Sequence, residues 1–126
     1  MANLGIGIIG AGNISTQYLT NLTSYPDVEV VAIDDLIVER AQAQAEKFGV
    51  PTWGGENTVL NPPGVDVVVN ITPPEVHIDV STKAVRAGKH VWSEKPLGLD
   101  LEAARGEMRV ARRSRFHRIL VQVHFA

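Results

Sequence analysis

Between Ile6 and Ser15 the apolar run Ile6-Gly7-Ile8-Ile9 passes directly into Gly10-Ala11-Gly12-Asn13-Ile14-Ser15, and the next long apolar stretch ends in Asp34-Asp35. A strand, a glycine turn, a helix and a second strand make a βαβ unit, which commits the chain to parallel strand pairing. The same pattern reads as a grip for a dinucleotide. The first glycine permits a tight turn out of the strand, and the second lets backbone approach a pyrophosphate seated on the N-terminus of the following helix. A carboxylate roughly 20 residues on takes the ribose hydroxyls. Gly5-Ile6-Gly7-Ile8-Ile9-Gly10 also fits G-x-G-x-x-G, but only four residues precede it and no strand can form before that turn. In the accepted register the third small residue is Ser15 rather than Gly or Ala, which helix packing on the strand should tolerate.

The rest of the chain repeats the alternation. Strands are predicted near residues 4–9, 28–34, 66–71, 90–93 and 119–123, with a short one around Pro51 to Trp53, and helices near 13–24, 38–48, 75–87 and 100–114. In the last helix Leu101, Ala104, Met108 and Ala111 recur at three- and four-residue steps and form one apolar stripe. Gly49 and Gly88 stand where helix C-caps are wanted. The segment Gly54 to Gly64, with Asn57, Asn61, Pro62 and Pro63, shows no period and reads as a surface loop. Asp66-Val67-Val68-Val69-Asn70-Ile71 is almost continuously apolar, as suits a strand covered on both faces. The fold class is therefore α/β, a doubly wound and mainly parallel sheet with helices on both faces. With 126 residues, one domain can bury roughly two-thirds of its unfolded surface.

Twelve Lys and Arg against fourteen Asp and Glu leave a net charge of −2, so no overall field recruits nucleic acid or an anionic membrane. The arginines at 109, 112, 113, 115 and 118 suit a helix C-terminus better than a nucleic-acid patch, which would need more interleaved aromatics than Phe116. The absence of cysteine excludes disulfides and thiolate metal sites and fits a reducing cytoplasm. The apolar runs are strand-sized and the N-terminus lacks the pattern of a signal peptide, so neither a leader nor a membrane span is expected. No His-Glu-x-x-His or carboxylate spacing suggests a metal, and no Gly-Lys-Ser/Thr follows the glycines, which excludes a triphosphate P-loop.

Two further segments carry chemistry. Thr72-Pro73-Pro74 leaves the carboxyl end of a buried strand, where open parallel sheets bind their ligands; the prolines also serve simply to end a strand and start a helix. Glu94-Lys95-Pro96 leaves the next strand at the same edge. A lysine there can hydrogen-bond a substrate hydroxyl and relay its proton while hydride goes to a nicotinamide ring, provided its ordinary pKa of about 10.4 is lowered. The plainer reading is a surface lysine beside a neutralising glutamate. Among the histidines, His77 begins a helix, His90 enters a strand, His117 lies in the basic stretch and His124 ends the last strand.

The run from Gly5 to Asp35, the segment Thr72-Pro73-Pro74-Glu75-Val76-His77 and the segment from Ala87 to Leu97 together closely resemble the Gfo/Idh/MocA family of NAD(P)-dependent sugar and polyol dehydrogenases. The resemblance covers nearly the whole chain, and Glu-Lys-Pro is its most specific part. It implies a Rossmann domain in which Lys95 helps bind and activate the substrate hydroxyl and Glu94 contacts the nicotinamide side of the cofactor. It further implies that the bond before Pro96 is cis, as often in the family. Gly10, Gly12, Asn13 and Ile14 would approach the pyrophosphate, Asp35 would hold the adenine ribose, Thr72 and Pro73 would flank the cofactor, and His77 would lie near the cofactor loop.

Family members usually continue into a second domain that supplies an Asp or His partner to the lysine and most of the substrate pocket. This chain ends at Ala126, so residues 1–126 are expected to be the dinucleotide-binding domain alone. Asp35, with Leu36 rather than Arg beside it, predicts NAD over NADP, because two carboxylates would repel a 2′-phosphate and no adjacent cation would receive it. Asp34 is expected to be a solvated acid at a strand end. The leading expectation is the cofactor half of an NAD-dependent oxidoreductase, cytoplasmic, acting on a sugar or polyol once a second domain or partner completes the site. Homo-oligomerisation through the face a second domain would cover is consistent with it. The rivals are a dinucleotide-binding module without turnover or a subunit needing a partner chain, and, more distantly, an S-adenosylmethionine methyltransferase.

Overall fold

The computed structural model describes residues 4–55, 58–61, 64–94 and 119–122. Strand β1 (Leu4–Ile9) leads into helix α1 (Asn13–Leu22), and strand β2 (Val28–Asp34) into helix α2 (Val38–Phe48). A short β3 (Thr52–Gly54) and β4 (Val67–Asn70) precede α3 (Pro74–Arg86), which returns the chain to β5 (His90–Glu94); β6 (Ile119–Gln122) follows. Among the described residues all five strand pairings are parallel and the order across the sheet is β3-β2-β1-β4-β5-β6. That order reverses between β1 and β4, the place where a doubly wound sheet opens a crevice at its carboxyl edge. The predicted helix over 100–114 lies outside the described residues.

The sheet is buried on both faces. On one, Ile6, Ile8, Val30, Ile33 and Val69 pack with Leu19 of α1 and Ala41 and Ala45 of α2. On the other, Ile9, Ala32, Val68 and Val91 pack with Ala84 and Val85 of α3 and with Val59 and Val65. Strict alternation would put Val30 and Ala32 on the same face, but the β1–β2 register shifts between Ile6 and Gly7, which pair with Val30 and Ala32. The extra residue, Val31, turns the remainder of β2 over. Its consequence for Asp34 and Asp35 appears below.

Gly5 and Gly7 lie inside β1, which removes them from any turn. Each instead makes room: a Cβ on Gly5 would stand 1.8 Å from the carbonyl oxygen of Gly64, and one on Gly7 would stand 2.3 Å from Cγ1 of Val59. Val59 itself is fully buried, so the segment predicted as a surface loop is anchored in the core at that residue. No periodicity could show this, because the notch that receives Val59 is on a strand far away in sequence. Helix α2 ends as predicted on Gly49 in the left-handed region (φ 72°), and Gly88 (φ 82°) follows the end of α3. Helix α1 ends at Leu22, two residues early, with Thr23 and not glycine closing it.

Candidate functional site

The turn after β1 separates the duties of its two glycines. Gly10 has φ +112°, a conformation that L side chains rarely adopt, and a Cβ there would come 2.9 Å from the carbonyl oxygen of Ile71. The fold itself demands that glycine. Gly12 has φ −77° and ψ −167°, ordinary extended backbone, and a Cβ there would meet nothing within 4 Å. Nothing among the described residues requires glycine at 12, and the space it leaves open faces the cavity. Gly12 is also the N-cap of α1, with no side-chain cap and no acidic residue in the first turn. The helix thus presents uncompensated N–H groups and the positive end of its dipole, as an anion site should. The third position works with serine because its hydroxyl is satisfied: Ser15 is fully buried, donates to the Gly12 carbonyl at 2.6 Å and accepts from Nε2 of Gln44 at 2.7 Å.

Alternation along the turned-over end of β2 assigns the two acids to opposite faces. Asp35 reaches the glycine turn: Oδ2 accepts from the Ala11 amide at 2.7 Å and Oδ1 from the Ile37 amide at 2.8 Å. Asp34 points to the other face, is 3% exposed, and accepts from the Val59 amide at 3.2 Å. The expectation of a solvated Asp34 is therefore wrong. A strand end is exposed only where nothing crosses it, and here the segment after β3 does.

On the other side of the crevice, β4 ends in Asn70, which is fully buried. Its Nδ2 donates to Ser81 of α3 at 2.7 Å, while its Oδ1 accepts from the Thr72 amide at 3.2 Å and the Thr72 hydroxyl at 2.6 Å. That network fixes the Thr72-Pro73 turn. Pro73 is the N-cap of α3 and Pro74 starts the helix, so the prolines both begin a helix and border the site.

Between these walls lies a cavity of about 670 Å³. Six of the predicted residues line it together: Gly10, Gly12, Ile14, Asp35, Thr72 and Pro73. Leu36, Ile37 and Arg40 extend it along the start of α2, and Val76, Asp79, Val80 and Lys83 along one face of α3. Leu36 is 77% exposed at its mouth. Leu60 apart, the lining residues described come from the ends of β1, β2 and β4 and from α1, α2 and α3. Asn13 and His77 stand in the first turns of α1 and α3, beside the cavity walls, and Glu94 stands at the carboxyl end of β5 opposite Gln122; only their backbone positions are described. Lys95 and Pro96 lie outside the described residues. Sequence reasoning missed Asn70, Leu60, Arg40 and the α3 face, whose spacing 76, 79, 80, 83 was legible as a helical stripe but had no partner to give it meaning.

The model of the Gfo/Idh/MocA family, described as an oxidoreductase family with NAD-binding Rossmann fold, matches residues 4–123. The chain belongs to that family. Family membership sets aside the methyltransferase alternative and makes this an NAD-binding Rossmann domain, in agreement with the strand order and the glycine turn. Among curated relatives, scyllo-inositol 2-dehydrogenase (NAD(+)) of Bacillus subtilis is 35% identical over 100 residues, 78% of this chain and 29% of that protein. Among solved structures, the 3-ketoreductase KijD10 from Actinomadura kijaniata in complex with NADP superposes with a TM-score of 0.84 at 34% identity, covering 90% of this chain and 36% of that one. An NAD-binding protein from Listeria innocua gives 0.86 at 29%, covering 96% and 35%. The chain thus spans about a third of the length of these relatives. No described helix is long and apolar enough to cross a membrane.

Proposed function

We propose that this Rossmann domain serves an NAD-dependent dehydrogenase that moves hydride between a secondary alcohol of a polyol or sugar and nicotinamide, with NAD preferred to NADP. The observation that carries the reading is the pairing of an open Gly12 at an uncapped helix N-terminus with Asp35, whose two oxygens are held by the Ala11 and Ile37 amides. The first suits a pyrophosphate, and the second presents fixed negative charge where the ribose hydroxyls bind and a 2′-phosphate is repelled. Arg40 lines the cavity one turn into α2 and is the cation to test for any NADP affinity.

When bound, nicotinamide supplies a hydride acceptor; the chain's own contribution is to orient it and to manage the proton. In this reading Lys95, in its neutral form, takes the hydroxyl proton while the alcohol carbon gives up hydride, leaving a ketone. Glu94 borders the nicotinamide and His77 the cofactor loop. The inositol dehydrogenase among the relatives supports the substrate class. The rest of the substrate pocket comes from a further segment or a partner chain; self-association and a cytoplasmic setting belong to the same reading.

The experiment is a panel of inositols and sugars offered with NAD. NADH formation that Lys95→Ala abolishes supports the dehydrogenase. NAD binding without turnover supports a binding module that needs a partner. Turnover that survives Lys95→Ala removes the proposed role of the lysine.

A further inference from the structure

Asp34 is a buried carboxylate beside the cofactor acid and is not used by the proposed chemistry. Burying a charged group is costly unless its hydrogen bonds are made inside, and an apolar residue would fill a strand end more cheaply. Among its contacts, Asp34 holds the Val59 amide. Val59 occupies the notch above Gly7, where a Cβ would lie 2.3 Å from Cγ1 of Val59. The start of the same segment is held by the Asp35 amide, which donates to the Gly54 carbonyl at 3.2 Å. The next residue, Leu60, lines the cavity.

We infer that Asp34 is a positioning residue for the dinucleotide: by fixing the Val59 amide it docks the Thr58–Leu60 turn on the carboxyl edge of β2 and sets Leu60 as an apolar wall for the adenine. The inference rests on the reading of the cavity as a dinucleotide site. Neighbouring acids then do two different things. Asp35 faces the glycine turn and meets the ligand, whereas Asp34, which also borders the cavity, is turned to the Val59 amide and acts through Leu60. The wall belongs to the adenosine end, because Leu60 shares the cavity with Asp35, the acid read as holding the adenine ribose, and with Leu36 and Ile37 beside it.

The test titrates NADH, ADP-ribose and nicotinamide mononucleotide into the wild type, Asp34→Ala, Asp34→Asn, Leu60→Ala and the double variant Asp34→Ala/Leu60→Ala. Losing one positioning hydrogen bond predicts up to about a tenfold loss of affinity for NADH and ADP-ribose in Asp34→Ala, with nicotinamide mononucleotide unchanged. Asp34→Asn keeps an acceptor oxygen and should recover most of the loss. Because both changes act on one wall, the double variant should be no weaker than the worse single one. Should Asp34→Ala fail to fold, Asp34→Leu, which fills the space without an acceptor, replaces it with the same expected loss. ADP-ribose binding equal to the wild type, or effects at 34 and 60 that multiply, would overturn the positioning role. A wild type that binds neither NADH nor ADP-ribose overturns the dinucleotide reading itself, and the inference falls with it.

Discussion

Replacing each turn glycine by alanine should separate stability from binding. At Gly12 the backbone is ordinary for alanine (φ −77°, ψ −167°) and the new methyl meets no atom of the described residues within 4 Å. Alanine caps a helix less well than glycine, while the unfolded chain loses freedom by about 0.4–1 kcal/mol, so the two nearly offset. For a chain of this size Tm should therefore stay within about 4 °C of the wild type. The same methyl stands where the pyrophosphate approaches, and overpacking of about 1–3 kcal/mol corresponds to a Kd raised about 5- to 150-fold. At Gly10, φ +112° and the 2.9 Å approach to the Ile71 carbonyl make alanine strained by about 1–3 kcal/mol, so Tm should fall by about 4–12 °C. Thermal melts and NADH titrations on both variants measure the two effects. A Gly12→Ala protein that binds NADH within twofold of the wild type, or one that melts well below it, would refute the assignment of that glycine to the ligand.

Other outcomes follow from the same contacts. Gly5→Ala pushes a Cβ to 1.8 Å from a backbone oxygen, so urea unfolding should show a loss of roughly 3 kcal/mol or more. Asn70→Ala strips partners from the Ser81 hydroxyl and the Thr72 amide; a stability loss of roughly 2–3 kcal/mol should accompany weaker NADH binding, because the Thr72-Pro73 turn is released. Asp35→Asn keeps one acceptor but removes the charge, and competitive titration should show NADH affinity falling about tenfold while NADPH affinity falls less.

The parts of the fold that the sequence disclosed are those set by neighbours in the chain. β1, β2 and α2 have the predicted bounds because alternation, β-branching and a left-handed Gly49 are local signals. The glycine turn and Asp35 were legible for the same reason: strand, turn and acid are a fixed number of residues apart. Asp34 was misread because its burial depends on Val59, whose seat depends on Gly7; the link is three-dimensional and leaves no period. Asn70 was hidden inside an apolar strand, where a polar residue reads as an interruption until Ser81 and Thr72 are brought to it. The β2 irregularity at Val31 decides which acid faces the glycine turn, yet no single residue type announces it.

The most direct measurement is a paired titration of the purified 126-residue chain with NADH and with NADPH, followed by nicotinamide fluorescence. Saturable one-to-one binding, tighter for NADH than for NADPH, is the expected result. No saturable binding of either, or NADPH bound more tightly, would contradict the assignment of Gly12 and Asp35 to an NAD site.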